Sequence, residues 1–495
     1  MRAARRQVVV VGAGPVGLAI SIDLALRGVE VTVLDRREGG GVQSKATTIW
    51  PRQLELLDRL GVAGAILEAG HRLSRITLNT SRRSFAAFDF GRIDTTSYPF
   101  GIGLAQPITE RILESRAVEV GVQVLRQVEV VDVSQDVHGV SLRCLHKGNV
   151  VREMTADWVV AADGAHSHIR DRSGIRLMRS GGAIRFAITD VPIDASLNEA
   201  DVAYYYGRDG ALALVPFGAS RFRIAVGVPP ETRIAPGRED FVRLLRARAG
   251  VRTDLRDFAH SSVFDVRCGH AEHFRKRRVF LAGDAAHTVS PAGGQGMNTG
   301  LQDAANLAWK LAEVISGSAP DGLLDSYERE RMHDYRESAR RSTYLTQLGL
   351  VDRRVRRTSL RVLYSVGSRI PCVADRMAAG FGQLDTSYPT SARGSLSGRR
   401  FPTRFPLADD GSPTPYVVDP LRGGVVDWRG RFSRSVNPPQ EDASVLYGSV
   451  LYGGDVSLGV RRRLGALPRL LTVRPDGHVE RITTRRTRDN SCMHS

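Results

Sequence analysis

Val8-Val9-Val10-Val11 runs directly into Gly12-Ala13-Gly14-Pro15-Val16-Gly17, and few folds can use such a junction. A short β-branched apolar run suits a strand buried on both faces of a parallel sheet. Gly12 then permits a tight turn, Gly14 lets the backbone approach a diphosphate, and Gly17 lets the following helix pack close to the strand. That helix, about Pro15 to Arg27, would aim free N–H groups and roughly half a positive charge at the phosphates. Gly28 ends it, and Val29 to Leu34 reads as a second strand. Asp35 falls at that strand's C-terminal edge, where a carboxylate can hold the hydroxyls of an adenosine ribose. Its charge argues against a 2′-phosphate there, although Arg36 and Arg37 follow. Strand, glycines, helix, strand and acid together predict a dinucleotide site.

About 270 residues downstream stands a second unit of the same kind. Arg278 to Ala282 has strand character, Gly283-Asp284 follows at its end, Pro291 to Asn298 is a glycine-rich loop, and Thr299 to Glu313 reads as an amphipathic helix. A nicotinamide dinucleotide needs one cradle for its diphosphate. A flavin dinucleotide also has a ribityl chain and an isoalloxazine ring to be held. An acid near the ribityl hydroxyls and a helix dipole near the pyrimidine side, where reduced flavin is negative, would suit it.

With a third motif the chain resembles the class A flavoprotein monooxygenases, the para-hydroxybenzoate hydroxylase type, and within them the bacterial hydroxylases of phenols and aromatic polyketides. Gly12 to Gly17 is similar to the family's first fingerprint. Val159-Val160-Ala161-Ala162-Asp163-Gly164, with Ser167 and Arg170 downstream, is similar to its second. Gly283-Asp284-Ala285-Ala286-His287, with Pro291, Gly293, Gly294, Gln295, Gly296, Met297 and Asn298, is similar to its third. The likeness covers residues 1 to about 340.

The resemblance implies that FAD is the cofactor and NADPH or NADH the co-substrate. It implies reduction of the flavin, uptake of O2 at C4a, and passage of the distal peroxide oxygen to an electron-rich ring carbon of a small aromatic molecule. The flavin does the chemistry, so no catalytic side chain is named. Cofactor-binding positions follow from the motifs: Gly12, Gly14, Pro15, Val16 and Gly17 at the diphosphate, and Asp35 and Arg36 at the adenosine half, the family more often having Glu at the first of these two. Gln106 would lie near the phosphates, Asp284 at the ribityl chain, and Pro291 facing the C4a edge. Gly294, Gly296, Met297 and Asn298 would approach the pyrimidine ring. Asp163 is tied by the resemblance to flavin and nicotinamide handling; Asp-Gly is also a common turn pair. Lys45 stands where the family usually carries Arg; it keeps a point charge but loses the bidentate fork. It could equally be a solvated loop cation. His287 is read as a structural hydrogen-bonding residue rather than a base.

The expected architecture is α/β: a Rossmann-like FAD-binding domain built on a parallel sheet, an inserted, mainly β substrate domain, long helices and a small C-terminal domain. The flavin domain would comprise 1–75, 108–180 and 270–340, and the substrate domain 76–107 and 181–269. A helical connection would cover 341–394, and a degenerate thioredoxin-like α/β domain 395–495 without a Cys-x-x-Cys pair. In the substrate domain Ala211 to Pro216 and Arg221 to Val228 would pair through the turn at Gly218-Ala219-Ser220. Tyr204, Tyr206, Phe217 and Arg223 are candidate pocket residues there; simply filling the sheet is an equal alternative for each.

Seventy basic against 53 acidic residues give a net charge of +17, which raises the question of a polyanionic partner. The arginines are scattered, however, and no basic stripe interleaved with aromatics appears, so no nucleic-acid partner is expected. Cys144, Cys268, Cys372 and Cys492 have neither metal nor redox spacing; no metal site is expected. The glycines and Pro15 break any resemblance to a secretory signal, and no apolar run reaches the length of a membrane span. A cytoplasmic monomer or homodimer without membrane partners is expected. Halogenation is disfavoured by the lack of a Trp-x-Trp-x-Ile-Pro segment, whereas Baeyer–Villiger oxygenation or epoxidation on the same fold stays open.

Overall fold

The computed structural model describes residues 7–389 except 41–45, 82, 148–149, 181–183, 194–196, 208–209, 230 and 351–353. Beyond 389 it describes 425–426, 432–433, 449–452, 469–474, 476 and 478–484. The chain divides into two compact units, one of residues 1–93 and 98–385 and the other of 94–97 and 386–495.

A six-stranded sheet organises the first unit. Its order is Arg275–Lys276, Val279–Leu281, Trp158–Ala161, Gln7–Val11, Glu30–Asp35, Gln123–Arg126. All neighbours run parallel except the short Arg275–Lys276 edge strand. Val8, Val9, Val10, Val31, Val33 and Val159 are buried, as a parallel sheet covered on both faces requires. The register sets Val11 opposite Ala161 and Ala161 opposite Leu281. Three chain segments far apart in sequence therefore leave the sheet at one edge, and the residues that follow them meet there.

The helix Pro15–Leu26 packs against the helices Gln106–Glu119 and Gly296–Ser316. An antiparallel meander of Val128–Gln135, Val140–His146 and Val150–Ala156 adds Val130, Leu142 and Cys144 to the core that holds Leu18 and Val33. The Gly296–Ser316 helix starts three residues before the expected Thr299. Its first turn is Gly-Met-Asn, so helix propensity gave no signal there, and Met297 and Asn298 belong to the helix rather than to the loop.

A seven-stranded mixed sheet runs Ser262–Val266, Ile184–Pro192, Arg221–Val228, Ala211–Pro216, Asp201–Tyr206, Arg75–Asn79, Ser84–Asp89, in that order. Alternation divides it into two faces. Leu212, Leu214, Phe222, Ile224 and Val226 point to one side and pack on Phe241 and Leu245. Ile76, Leu78, Phe88, Tyr204, Tyr206 and Val215 point to the other and share a core with Trp50, Leu345, Tyr364 and Ala378. A small sheet of Thr48–Ile49, Gly101–Gly103 and His71–Leu73 touches this assembly closely; a Cβ on Gly103 would stand 2.1 Å from the Pro216 carbonyl oxygen.

Helices Asp325–Leu350, Arg354–Gly367 and Pro371–Phe381 complete the unit. Among the described residues, no helix is long and apolar enough to cross a membrane. In the second unit five strands form a sheet in the order Phe432–Ser433, Val425–Val426, Ser449–Tyr452, Arg469–Val473, Val479–Thr484, parallel only between Val425–Val426 and Ser449–Tyr452.

Candidate active site

At the shared sheet edge the three glycines of the first motif have different surroundings. Gly12 has φ +108° and a Cβ there would stand 2.3 Å from the Ala162 carbonyl oxygen. A Cβ on Gly17 would stand 2.0 Å from the Gly12 carbonyl oxygen. Both are excluded by the fold's own packing. Gly14 is different, because a Cβ there meets no protein atom within 4 Å. It opens onto space, at the N-cap of the Pro15–Leu26 helix, where no side chain caps the free N–H groups. Pro15 is the first helical residue and is buried; Val16 is half-buried.

Asp35 lies beneath this turn. Its Oδ2 accepts from the Ala13 N–H at 2.7 Å and its Oδ1 from the Arg37 N–H at 2.8 Å. Burial pushes the Asp35 carboxyl up, but hydrogen bonds and charge from Arg37, with the Ala13 N–H, outweigh it and hold it low. Arg37 also reaches the Ala13 carbonyl oxygen at 3.3 Å and Glu110 at 3.4 Å. Arg36 points elsewhere: its side chain is 64% exposed and 4.0 Å from Glu129. Two adjacent arginines look alike in sequence, and the one turned into the site is Arg37. Gln106 opens the Gln106–Glu119 helix, accepting from the Ala46 N–H at 3.1 Å and donating to Glu110 at 2.8 Å. Lys45 lies outside the described residues.

The third motif builds the facing wall. Gly283 has φ +61°, and Asp284 projects from the turn Gly283–Ala285 as an exposed side chain. Below the turn Asp303 is fully buried and accepts from the Gly283 N–H at 2.8 Å, His287 Nε2 at 2.7 Å and Arg331 Nε at 2.7 Å. His287 is thus a buried hydrogen-bonding residue. Val16 joins the two cradles: a Cβ on Gly300 would stand 2.6 Å from its Cγ2, and one on Gly283 3.0 Å. The N-termini of the Pro15–Leu26 and Gly296–Ser316 helices are brought together by that contact.

Between Gly283 and the second helix, Gly293 and Gly294 take φ +85° and +62°. The Trp50 indole N–H donates to the Gly293 carbonyl oxygen at 2.9 Å, and the Gly293 N–H lies near the Tyr204 hydroxyl. Pro291, Gly294, Gly296 and Met297 are half-buried along this loop and first turn. Asn298 is fully buried, and its side chain is already used. It accepts from the Trp50 N–H at 2.9 Å and donates to the Thr48 and Gly294 carbonyl oxygens at 2.8 and 2.6 Å. Its side chain therefore fastens Thr48–Trp50 to the loop. Nothing local in the sequence marks Trp50, nor Gln383, whose buried amide joins Gln53, Gln295 and Gln302 beneath the same helix start.

The second motif lies between these walls. Asp163 Oδ2 accepts from the Ile169 N–H at 3.3 Å, while Oδ1 is buried with no partner. Burial, only partly offset by the Ser167 hydroxyl and backbone N–H groups, raises its carboxyl above the ordinary value. Arg170 Nη1 bonds the Ala165 and Ala285 carbonyl oxygens at 3.3 and 3.2 Å, tying the second motif to the third.

On the mixed sheet Tyr204 and Tyr206 are buried, and burial pushes both phenols well up. Phe217 begins the turn into the next strand and is half-buried beside Gly103. Arg223 is paired with Asp190.

These residues fit a flavin dinucleotide. Gly14 leaves room at a free helix terminus, a second helix terminus converges on it, an exposed acid stands at the junction, and the Asp163 Oδ1 lacks a donor. The family described as FAD binding domain matches residues 5–342. An uncharacterized aromatic compound monooxygenase of Bacillus subtilis is 34% identical over 416 residues, 82% of this chain and 81% of its own. The 6-methylpretetramide 4-monooxygenase of Streptomyces rimosus is 38% identical over 66% of this chain, which spans 59% of that relative. The solved structure of an anhydrotetracycline hydroxylase from Streptomyces rimosus superposes with a TM-score of 0.76 at 28% identity, covering 97% of this chain and 95% of that one.

Proposed function

The chain belongs to the class A flavoprotein monooxygenases and is an FAD-dependent monooxygenase, and from that premise we propose that it hydroxylates an aromatic or polyketide-like small molecule at the expense of NAD(P)H and O2. Bound FAD would supply the chemistry, accepting hydride from the nicotinamide and passing one oxygen atom of O2 to the substrate. The observation that most supports this reading is the common exit of Val11, Ala161 and Leu281 from one sheet edge, which sets all three motifs around one space.

In this reading Gly12, Gly14, Pro15, Val16 and Gly17 form the diphosphate turn, with Asp35 assigned to the adenosine half and braced by Arg37 in place of the outward-pointing Arg36. Lys45 and Gln106 serve the phosphates and Asp284 the ribityl chain. Pro291, Gly294, Gly296, Met297 and Asn298 line the isoalloxazine, chiefly through backbone groups, because the Asn298 side chain is engaged elsewhere. Asp163 accepts a hydrogen bond at its free Oδ1. Tyr204 and Tyr206 wall the substrate space and exclude water, which strengthens the electrostatics inside it. Residues 1–75, 108–180 and 270–340 act as the flavin domain, and 76–107 with 181–269 as the substrate domain.

The test is a screen of phenols and polyketide aromatics for stimulated NADH or NADPH oxidation by the FAD-loaded protein, with product masses recorded. One added oxygen atom in a stimulating compound is the expected result. Oxidation that never yields an oxygenated product would overturn the proposal.

A further inference from the structure

We propose that Arg223 and Asp190 form an oxygen-recognition subsite, in which Arg223 Nη1 donates to a keto or phenolic oxygen of the aromatic substrate. The inference rests on the hydroxylase reading and specifies what its substrate must carry. Strand register places the group. Tyr204 lies opposite Ala213, Ala213 opposite Ala225, Val215 opposite Arg223, and Arg223 opposite Asp190. Directly paired residues share a face, so all six are on the side of the sheet on which Tyr204 lies near Gly293. On that side Val215 packs in one cluster with Trp50 and Ala292. The opposite side is filled by Phe222 and Ile224 against Phe241.

The shared face is not filled in the same way. Ala213 and Ala225 are only half-buried, and neither has a side chain long enough to close the space. Arg223, by contrast, is 5% exposed. Its Nε and Nη2 grip the two Asp190 oxygens at 2.7 Å each, while Nη1 is buried without a partner. A buried donor left unpaired is costly, more so on a charged group. The structure supplies no oxygen for it, and a substrate lying over Ala213 and Ala225 would.

Asp190 decides which oxygen fits. The bidentate pair is close to neutral overall, so the subsite has no need of a full anion and suits the carbonyl or phenol oxygens that line fused aromatic ketones. The guanidinium is held by its carboxylate fork, so the remaining N–H groups have a fixed direction. A site built to hydrogen-bond an oxygen discriminates strongly against the analogue lacking it, because the buried donor is then stranded.

The experiment measures binding, not turnover. Dissociation constants for 1,8-dihydroxyanthraquinone and for anthracene are obtained from perturbation of the flavin spectrum of the holoenzyme. Arg223→Met is expected to weaken the anthraquinone by about ten- to a hundredfold and to leave anthracene within about twofold. Asp190→Asn is the second variant and moves the other way. It uncovers the guanidinium charge, so binding of the deprotonated anthraquinone should strengthen relative to the neutral form as pH rises through the phenol's own ionisation. Equal weakening of both probes, no weakening of either, or a wild-type holoenzyme that binds neither probe overturns the subsite. Intact binding contrast without any oxygenated product would instead count against the hydroxylase reading alone.

Discussion

Trp50 and Gly293 stand 243 positions apart and are joined by a 2.9 Å hydrogen bond from indole N–H to carbonyl oxygen. The bond fixes a peptide whose φ of +85° only glycine adopts readily. Tyr204 lies near its N–H on the other side, so a flexible glycine pair sits between Trp50 and the mixed sheet.

Trp50→Phe tests the clamp. Gln295 still donates to the same carbonyl at 3.0 Å, so the oxygen is not stranded. Loss of one hydrogen bond and part of a buried ring should cost about 2 kcal/mol of stability. FAD affinity should fall as well, because the loop's conformation is no longer fixed. Thermal melts of apoprotein and holoprotein, with FAD titration, check both; unchanged FAD affinity would show that the clamp is structural only.

The first-motif glycines should separate folding from cofactor binding. Gly14→Ala adds a methyl that meets no protein atom within 4 Å, so the apoprotein should melt within a degree or two of wild type (about 0.5 kcal/mol or less). FAD affinity should drop sharply if, as proposed, the diphosphate takes that space. Gly17→Ala sets a methyl 2.0 Å from the Gly12 carbonyl oxygen and should destabilise the apoprotein itself by several kcal/mol, as overpacking does. Equal losses of stability in the two variants would contradict the assignment.

What could be read in the sequence was what short-range chemistry determines. Val8 to Val11, the three glycines and Asp35 carry their structure locally, through β-branching, missing side chains and spacing. The choice of Arg37 over Arg36 depends on which way a strand end turns, and no residue type encodes that. Asn298 looks like a ligand-facing amide after a glycine-rich loop, yet its side chain is taken by Thr48 and Trp50 from the other end of the unit. Trp50, Gln383 and Asp303 act through partners found only after folding, so their residue types alone could not mark them. The unpaired Nη1 of Arg223 is of the same kind: sequence offered the residue, and only the register with Asp190 showed which atom is spare.

Asp303 should give the protein an acid-labile step. Burial raises its carboxyl, but the charges of His287 and Arg331, with their hydrogen bonds, prevail and hold it below 3.8. A depressed folded pKa contributes stability that is present above the unfolded value and lost as pH falls through the folded value. Wild type should therefore lose stability below about pH 4. Asp303→Asn should be less stable at neutral pH by about 2 kcal/mol, because Arg331 and His287 lose a buried charged partner and Arg331 keeps only Asp334, at 2.8 Å, and its loss below pH 4 should be shallower. Parallel pH profiles for the two proteins would refute the linkage.

Asp163 predicts the opposite sign. Burial raises its carboxyl, with the Ser167 hydroxyl and backbone N–H groups only partly opposing, and Oδ1 has no partner. A raised carboxyl pKa contributes stability that is complete below the unfolded value near 3.8 and is lost as pH rises through the folded one. Asp163→Asn removes the buried charge and keeps an oxygen for the Ile169 N–H, so the apoprotein should be more stable than wild type at pH 7, by about 1 kcal/mol or more. The difference should vanish in acid. FAD or nicotinamide binding should weaken about tenfold if a ligand donor is what the free oxygen awaits. Melting curves between pH 3 and 8 and ligand titrations at pH 7 measure the two effects separately. A variant less stable at pH 7, with ligand binding intact, would reduce Asp163 to a turn residue before Gly164.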